Sequence, residues 1–133
     1  MIVADTNTIA YLYLPTEHTE AVEGVLKKDA QWLVPRLWRS ELRNILALYM
    51  RKGLLELATA YQIQGQAEKL LTGNEYELDS LSVLVLAEKT GCSAYDCEFV
   101  ALAQRFDIPL VTSDKKLLRA FPEQAIAPKA FIS

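Results

Sequence analysis

Residues 93–118 read SAYDCEFVALAQRFDIPLVTSDKKLL. Phe99, Val100, Ala103 and Phe106 recur at helical spacing, so the first half of the stretch predicts an amphipathic helix. Ser93 with an acid three residues later is a helix-start pattern. The helix has to stop at Asp107-Ile108-Pro109, because a residue before proline is pushed out of the helical conformation. Residues 109–112 form a short apolar run that predicts a buried strand, and residues 115–120 predict another helix. One aspartate, Asp96, therefore stands at a helix start, and another, Asp114, directly follows a strand. In open α/β sheets ligands bind outside the carboxyl ends of strands, so acids at equivalent points elsewhere in the chain acquire meaning.

Working outward, residues 1–4 are an apolar strand that ends at Asp5. Residues 6–8 predict a turn, and residues 9–14 a short helix before Pro15. Residues 16–29 predict a helix with Ala21, Val22, Val25 and Leu26 on its inner stripe. A short strand at 32–34 is closed by Pro35, and a helix at 37–52 is ended by Gly53. Helices over 55–71 and 79–90 flank a short strand at 75–78. Residues 125–132 predict a last strand, which Pro128 confines to an edge. Strands that alternate with helices predict an α/β fold, a three-layer α/β/α sandwich around a mainly parallel central sheet. With no internal repeat or linker, residues 1–133 predict one domain.

The composition fits that reading. The chain has 133 residues, 51% hydrophobic and 23% charged, enough for one real core. No apolar run approaches the roughly 18 residues that a membrane span needs, and no basic-flanked leader is expected at Met1. Cys92 and Cys97 lack CxxC or zinc spacing, which predicts two reduced thiols in a cytoplasmic protein. The formal net charge of −3 is not that of a basic nucleic-acid binder. It suits acids gathered in one site.

Four acids make such a set. Asp5 and Asp114 each end a strand, and Asp96 begins a helix; taken singly, each is explained as a turn or cap residue. Glu41 shares a helix face with Leu37, Ile45 and Leu48, where a carboxylate is expensive to bury unless it is paired or bound to a cation. An arginine partner would explain Glu41 alone. The convergence of all four on one cleft would instead call for positive charge between them. Oxygen-only donors suit a hard divalent ion, Mg²⁺ with Mn²⁺ as substitute. His18, the single histidine, lies in a polar segment, which argues against zinc.

The four blocks are IVADTN around Asp5, WRSELRN around Glu41, SAYDCEFVALA around Asp96 and PLVTSD before Asp114. Together they resemble PIN-domain nucleases, and within them the VapC-type toxins of toxin–antitoxin pairs. The resemblance spans nearly the whole chain and is most specific between Asp96 and Asp114. It implies a metal-dependent ribonuclease with Asp5, Glu41, Asp96 and Asp114 around Mg²⁺. It departs from the family at Cys97, where alanine is frequent, and at Asp107, where glycine is frequent; neither touches an acid.

Under that resemblance, Asn7, Thr112 and Ser113 are expected to orient waters or ligands around the acids. Arg36, Arg39 and Arg43 on one helix side, with Lys115, Lys116 and Arg119 after Asp114, are expected to meet the RNA backbone or simply to be solvated. Trp32 and Trp38 are assigned to the core rather than to base stacking. Leu46, Tyr49, Met50, Leu54 and Leu57 exceed what one core-facing stripe needs. They predict interfaces with a second copy and with a small antitoxin protein. A haloacid-dehalogenase-type phosphatase would need an acid where Asn7 stands. A receiver domain would need a lysine where Asp114 stands. The stronger rival is a non-catalytic binding module on the same fold.

Overall fold

Ile2, Val3 and Ala4 form strand β1 (Ile2–Ala4), and all three are 0% exposed in the computed structural model, which describes residues 1–133. Alternate residues of a strand point to opposite faces, so both faces of the sheet are covered at this position. The other strands are β2 (Trp32–Pro35), β3 (Glu75–Tyr76), β4 (Leu110–Val111) and β5 (Ala125–Ile126). Their order is β3-β2-β1-β4-β5, and every neighbouring pair is parallel. The eight helices are α1 (Thr6–Tyr13), α2 (Thr19–Lys28), α3 (Trp38–Arg51), α4 (Leu57–Leu70), α5 (Ser80–Thr90), α6 (Ala94–Phe106), α7 (Lys115–Ala120) and α8 (Pro128–Ile132). This is the expected α/β sandwich with a parallel sheet.

The strand order creates the crevice in which a site can form. From β1 the chain moves outward to β2 and β3, then returns to the opposite side of β1 for β4 and β5. The direction of winding therefore reverses between β1 and β4, the place where open sheets leave room for a ligand. Helix α6 packs against β1, β2 and β4. Its Cys97, Phe99, Val100, Leu102 and Ala103 are all buried. Burying each large apolar side chain in such a core contributes about 1.5–3 kcal/mol. Both cysteines are buried and unbridged.

Two local expectations are corrected. Residues 6–8 are not a turn but the first turn of α1. The Asp5 side chain accepts a hydrogen bond from the Thr8 amide at 3.0 Å and so starts the helix earlier than the apolar pattern suggested. The last strand is only Ala125–Ile126, after which Pro128 opens α8. At the first helical position proline's missing N–H is no loss and its fixed φ suits the helix. Asp107 ends α6 in the left-handed conformation, φ 52°, which aspartate tolerates better than most residues.

Candidate active site

The four acids meet at the switch point. Strands β1 and β4 pair at Val3↔Leu110 and Ala4↔Val111, which sets Asp5 and, three residues beyond β4, Asp114 at the same end of the sheet. Glu41 projects from the first turn of α3 and Asp96 from the first turn of α6. All four carboxylates line one cleft of about 580 Å³.

Each acid is held by its own local structure. Asp5 is buried. Its Oδ1 accepts from the Thr8 amide and from the Thr8 hydroxyl at 2.6 Å, and its Oδ2 accepts from the Thr112 hydroxyl. Thr112 is fully buried and its hydroxyl also accepts from the Asp114 amide at 3.0 Å, so this one side chain links the two strand-end acids. Asp114 caps α7, accepting from the amides of Lys116 at 2.8 Å and Leu117 at 3.3 Å. Ser93, not Asp96, caps α6: its hydroxyl accepts from the Asp96 amide at 3.0 Å, leaving the Asp96 carboxylate to the cleft. Glu41 accepts from the Thr6 hydroxyl at 2.6 Å and forms no ion pair with any arginine. The arginine-partner explanation of Glu41 therefore drops out.

The electrostatics agree with the geometry. Burial raises the Asp5 carboxyl above its usual range; hydrogen bonds from Thr112 and Thr8 oppose this, and Asp114 adds to it. Burial raises Glu41, the Thr6 bond opposes, and Asp96, Asp5 and Glu98 raise it further. Burial raises Asp96, Asp114 adds to it, and Ser93 and Lys116 oppose. The acids thus act on one another, as carboxylates do when they share a site without positive charge. They do not close into a ready-made cage: no three His, Cys, Asp or Glu side chains stand together at metal-binding spacing. Their chemistry, oxygen donors only and open to water, is that which hard divalent cations take.

Around the acids, Asn7 lines the cleft, whereas Ser113 faces a separate hollow with His18 and Lys115. Arg39 is a correction. Its guanidinium grips Glu75 through Nε at 2.7 Å and a terminal nitrogen at 2.8 Å, and reaches Glu68 at 3.0 Å. It fastens α3 to β3 and α4 and offers no free charge to RNA. Arg36 lies 3.7 Å from Glu77 at the surface, and Arg43, Lys115 and Lys116 are exposed outside the cleft wall. Trp32 and Trp38 are fully buried, as assigned. Thr6, Thr8, Ser40, Asn44 and Tyr95 belong to the site or its support, although sequence reasoning did not select them. A helical wheel through Glu41 would have found Asn44, and the capping spacing from Asp5 would have found Thr8.

A parallel sheet with acids after β1 and β4 and two more on flanking helices defines an α/β protein with a polyacidic cleft. The chain belongs to the PIN-domain family, whose model matches residues 2–122. It is 31% identical to Ribonuclease VapC3 of Pyrobaculum aerophilum over 91% of this chain and 95% of that protein. Its fold is similar to that of PAE2754 from Pyrobaculum aerophilum, with a TM-score of 0.78 and 21% identity over 98% of this chain and 92% of that one. It is also similar to a chain of a toxin–antitoxin complex from Klebsiella pneumoniae, with a TM-score of 0.69 and 16% identity over 96% and 98% of the two chains. At such identities the two solved structures speak for the fold alone.

Proposed function

We propose that this chain is a metal-dependent endoribonuclease and the toxin of a toxin–antitoxin pair. The observation that carries the reading is the convergence of Asp5, Glu41, Asp96 and Asp114 on one cleft of a PIN-domain chain. Membership of the family and 31% identity to a protein named as a ribonuclease support it. The four carboxylates would hold Mg²⁺, or Mn²⁺ in its place. When bound, such an ion supplies an activated water and neutralises charge on the scissile phosphodiester. Thr112 keeps Asp5 and Asp114 in register, and Thr6 keeps Glu41 turned into the cleft. Arg36, Arg43, Lys115 and Lys116 would meet the RNA backbone outside it.

In this reading residues 1–133 act as one nuclease domain in the cytoplasm, and no helix is long and apolar enough to cross a membrane. A second copy and an antitoxin would cover exposed apolar residues. Of the residues expected there, Leu46 is core, Tyr49 and Met50 pack partly against it, and Leu54 and Leu57 stand exposed, as do Tyr61, Leu81 and Leu84. The test is incubation of the purified protein with total RNA and Mg²⁺, beside an EDTA control and an Asp5→Asn variant. New RNA ends are expected only with metal and the intact acid. RNA that is bound but never cut would replace this reading with that of a binding module. Cutting that EDTA and Asp5→Asn leave unchanged would place the chemistry elsewhere.

A further inference from the structure

Only two aromatic side chains stand mostly in solvent, Tyr61 at 81% and Tyr95 at 66% exposure. Tyr61 lies on α4, away from the acids, whereas Tyr95 lines the acidic cleft. Tyr95 is the second residue of α6 and the chain neighbour of Asp96. Phe99, four residues on and buried, lies below it on the same helix face and lines the same cleft. The Ser93 cap fixes the first turn. A planar ring therefore lines the cleft one residue from a site carboxylate, with no aromatic partner of its own among the stacked or edge-on pairs.

The cleft wall itself offers a nucleic acid few cationic contacts. Its wall includes four carboxylates and no Lys or Arg, and the whole chain carries a net charge of −3. Phosphate contacts normally dominate affinity for nucleic acids, and the cations that could make them, Lys116 among them, lie outside this wall. Base–aromatic stacking does not depend on protein cations and tolerates any base. Trp32 and Trp38 are buried and unable to provide it.

We infer that Tyr95 is the stacking platform for one unpaired base of a single-stranded RNA, beside the phosphodiester that faces the acids. This rests on the ribonuclease reading and makes Tyr95 a positioning residue that acts through substrate binding. An RNA duplex cannot offer a free base face, so the stack needs an unpaired base.

The experiment compares the wild-type protein with Tyr95→Phe, Tyr95→Leu and Tyr95→Ala. The substrate is a random-sequence single-stranded oligoribonucleotide pool with Mg²⁺, with rates and cut sites recorded and each protein's mass followed by sedimentation. Tyr95→Phe should cut like wild type. Tyr95→Ala and Tyr95→Leu should raise KM roughly 5- to 150-fold, the range expected for a lost base–aromatic stack, with a smaller change in kcat. Wild-type-like KM in Tyr95→Ala overturns the inference and leaves the ribonuclease reading standing. Rescue by Tyr95→Leu, or a loss of self-association in Tyr95→Ala, also overturns it, because the side chain would then be packing against protein. If the wild type cuts nothing in the pool or in total RNA, the ribonuclease reading itself fails and takes this inference with it.

Discussion

Thr6 donates a 2.6 Å hydrogen bond to Glu41 and so ties the start of α1 to the first turn of α3. The bond favours the ionised carboxylate against burial and against the charges of Asp96 and Asp5. Thr6→Val keeps the shape and removes the donor. Stability should change by only about 1 kcal/mol. The Mg²⁺ concentration for half-maximal cleavage should rise by about 10-fold, as when a ligand loses the neighbour that orients it. A metal titration of cleavage checks this; an unchanged half-saturation point would show that the bond is structural only.

Glu41→Gln separates charge from shape at the same position. The amide oxygen can still accept from Thr6, while one charge leaves a crowded cluster. Without metal, the melting temperature should hold or rise. Cleavage should fall by about 100-fold or more, on the scale of losing one preorganised electrostatic group. A clearly destabilised variant that cuts RNA at the wild-type rate when folded would contradict a metal-ligand role for Glu41.

Arg39 should behave in the opposite way. Its side chain is partly exposed, and Glu75 less so, so removing the arginine should cost about 1–2 kcal/mol, between exposed and buried pairs. The Arg39 bond, followed by that from Trp38, holds the Glu75 carboxyl below its usual range against desolvation. A lowered folded value gives stability that is present above the unfolded pKa of about 4.3 and is lost as pH falls through the folded one. Arg39→Met should therefore melt earlier at neutral pH, with a flatter acid limb, and the folded fraction should cut RNA at near wild-type rate. Denaturant titrations from pH 3 to 7 would expose an error if the variant loses activity but not stability.

How far these roles were legible depended on how local their causes are. The α6-to-α7 block was readable because helical period, the break before Pro109 and side-chain caps are all set within a few residues. Meeting of Asp5 with Asp114 follows from parallel pairing of β1 with β4, and alternation of strands with helices already implied a parallel sheet. The ion pairing of Arg39 was not readable. Its helix face shows three cations in sequence, but the carboxylate that occupies it, Glu75, arrives from a strand 36 residues later. Helix α8 was hidden because a proline that weakens a strand is equally a good first residue of a helix. Tyr95 gave no periodic signal, since exposure at the lip of a cleft is a property of the packed chain.

The cluster itself should impose a pH dependence that metal cancels. Asp5, Glu41 and Asp96 are all raised above their usual range, first by burial and then by neighbouring carboxylates. Between the unfolded values, about 3.9 for Asp and 4.3 for Glu, and the raised folded ones, the folded chain binds more protons than the unfolded chain. Their contribution is fully present below the unfolded values and is lost as pH rises through the folded ones. A divalent ion binds the ionised carboxylates, so its stabilisation should grow over that same interval. Melting temperatures from pH 4 to 8, with EDTA and with millimolar Mg²⁺, give the two curves. Glu75 acts with the opposite sign at the acid end, so the difference between wild type and Glu41→Gln isolates the cleft. That difference should widen with pH in EDTA, and the wild type should gain more from Mg²⁺ at pH 7 than at pH 4. An Mg²⁺ shift that is the same at every pH, or the same in both proteins, would mean that the ion binds somewhere other than these carboxylates.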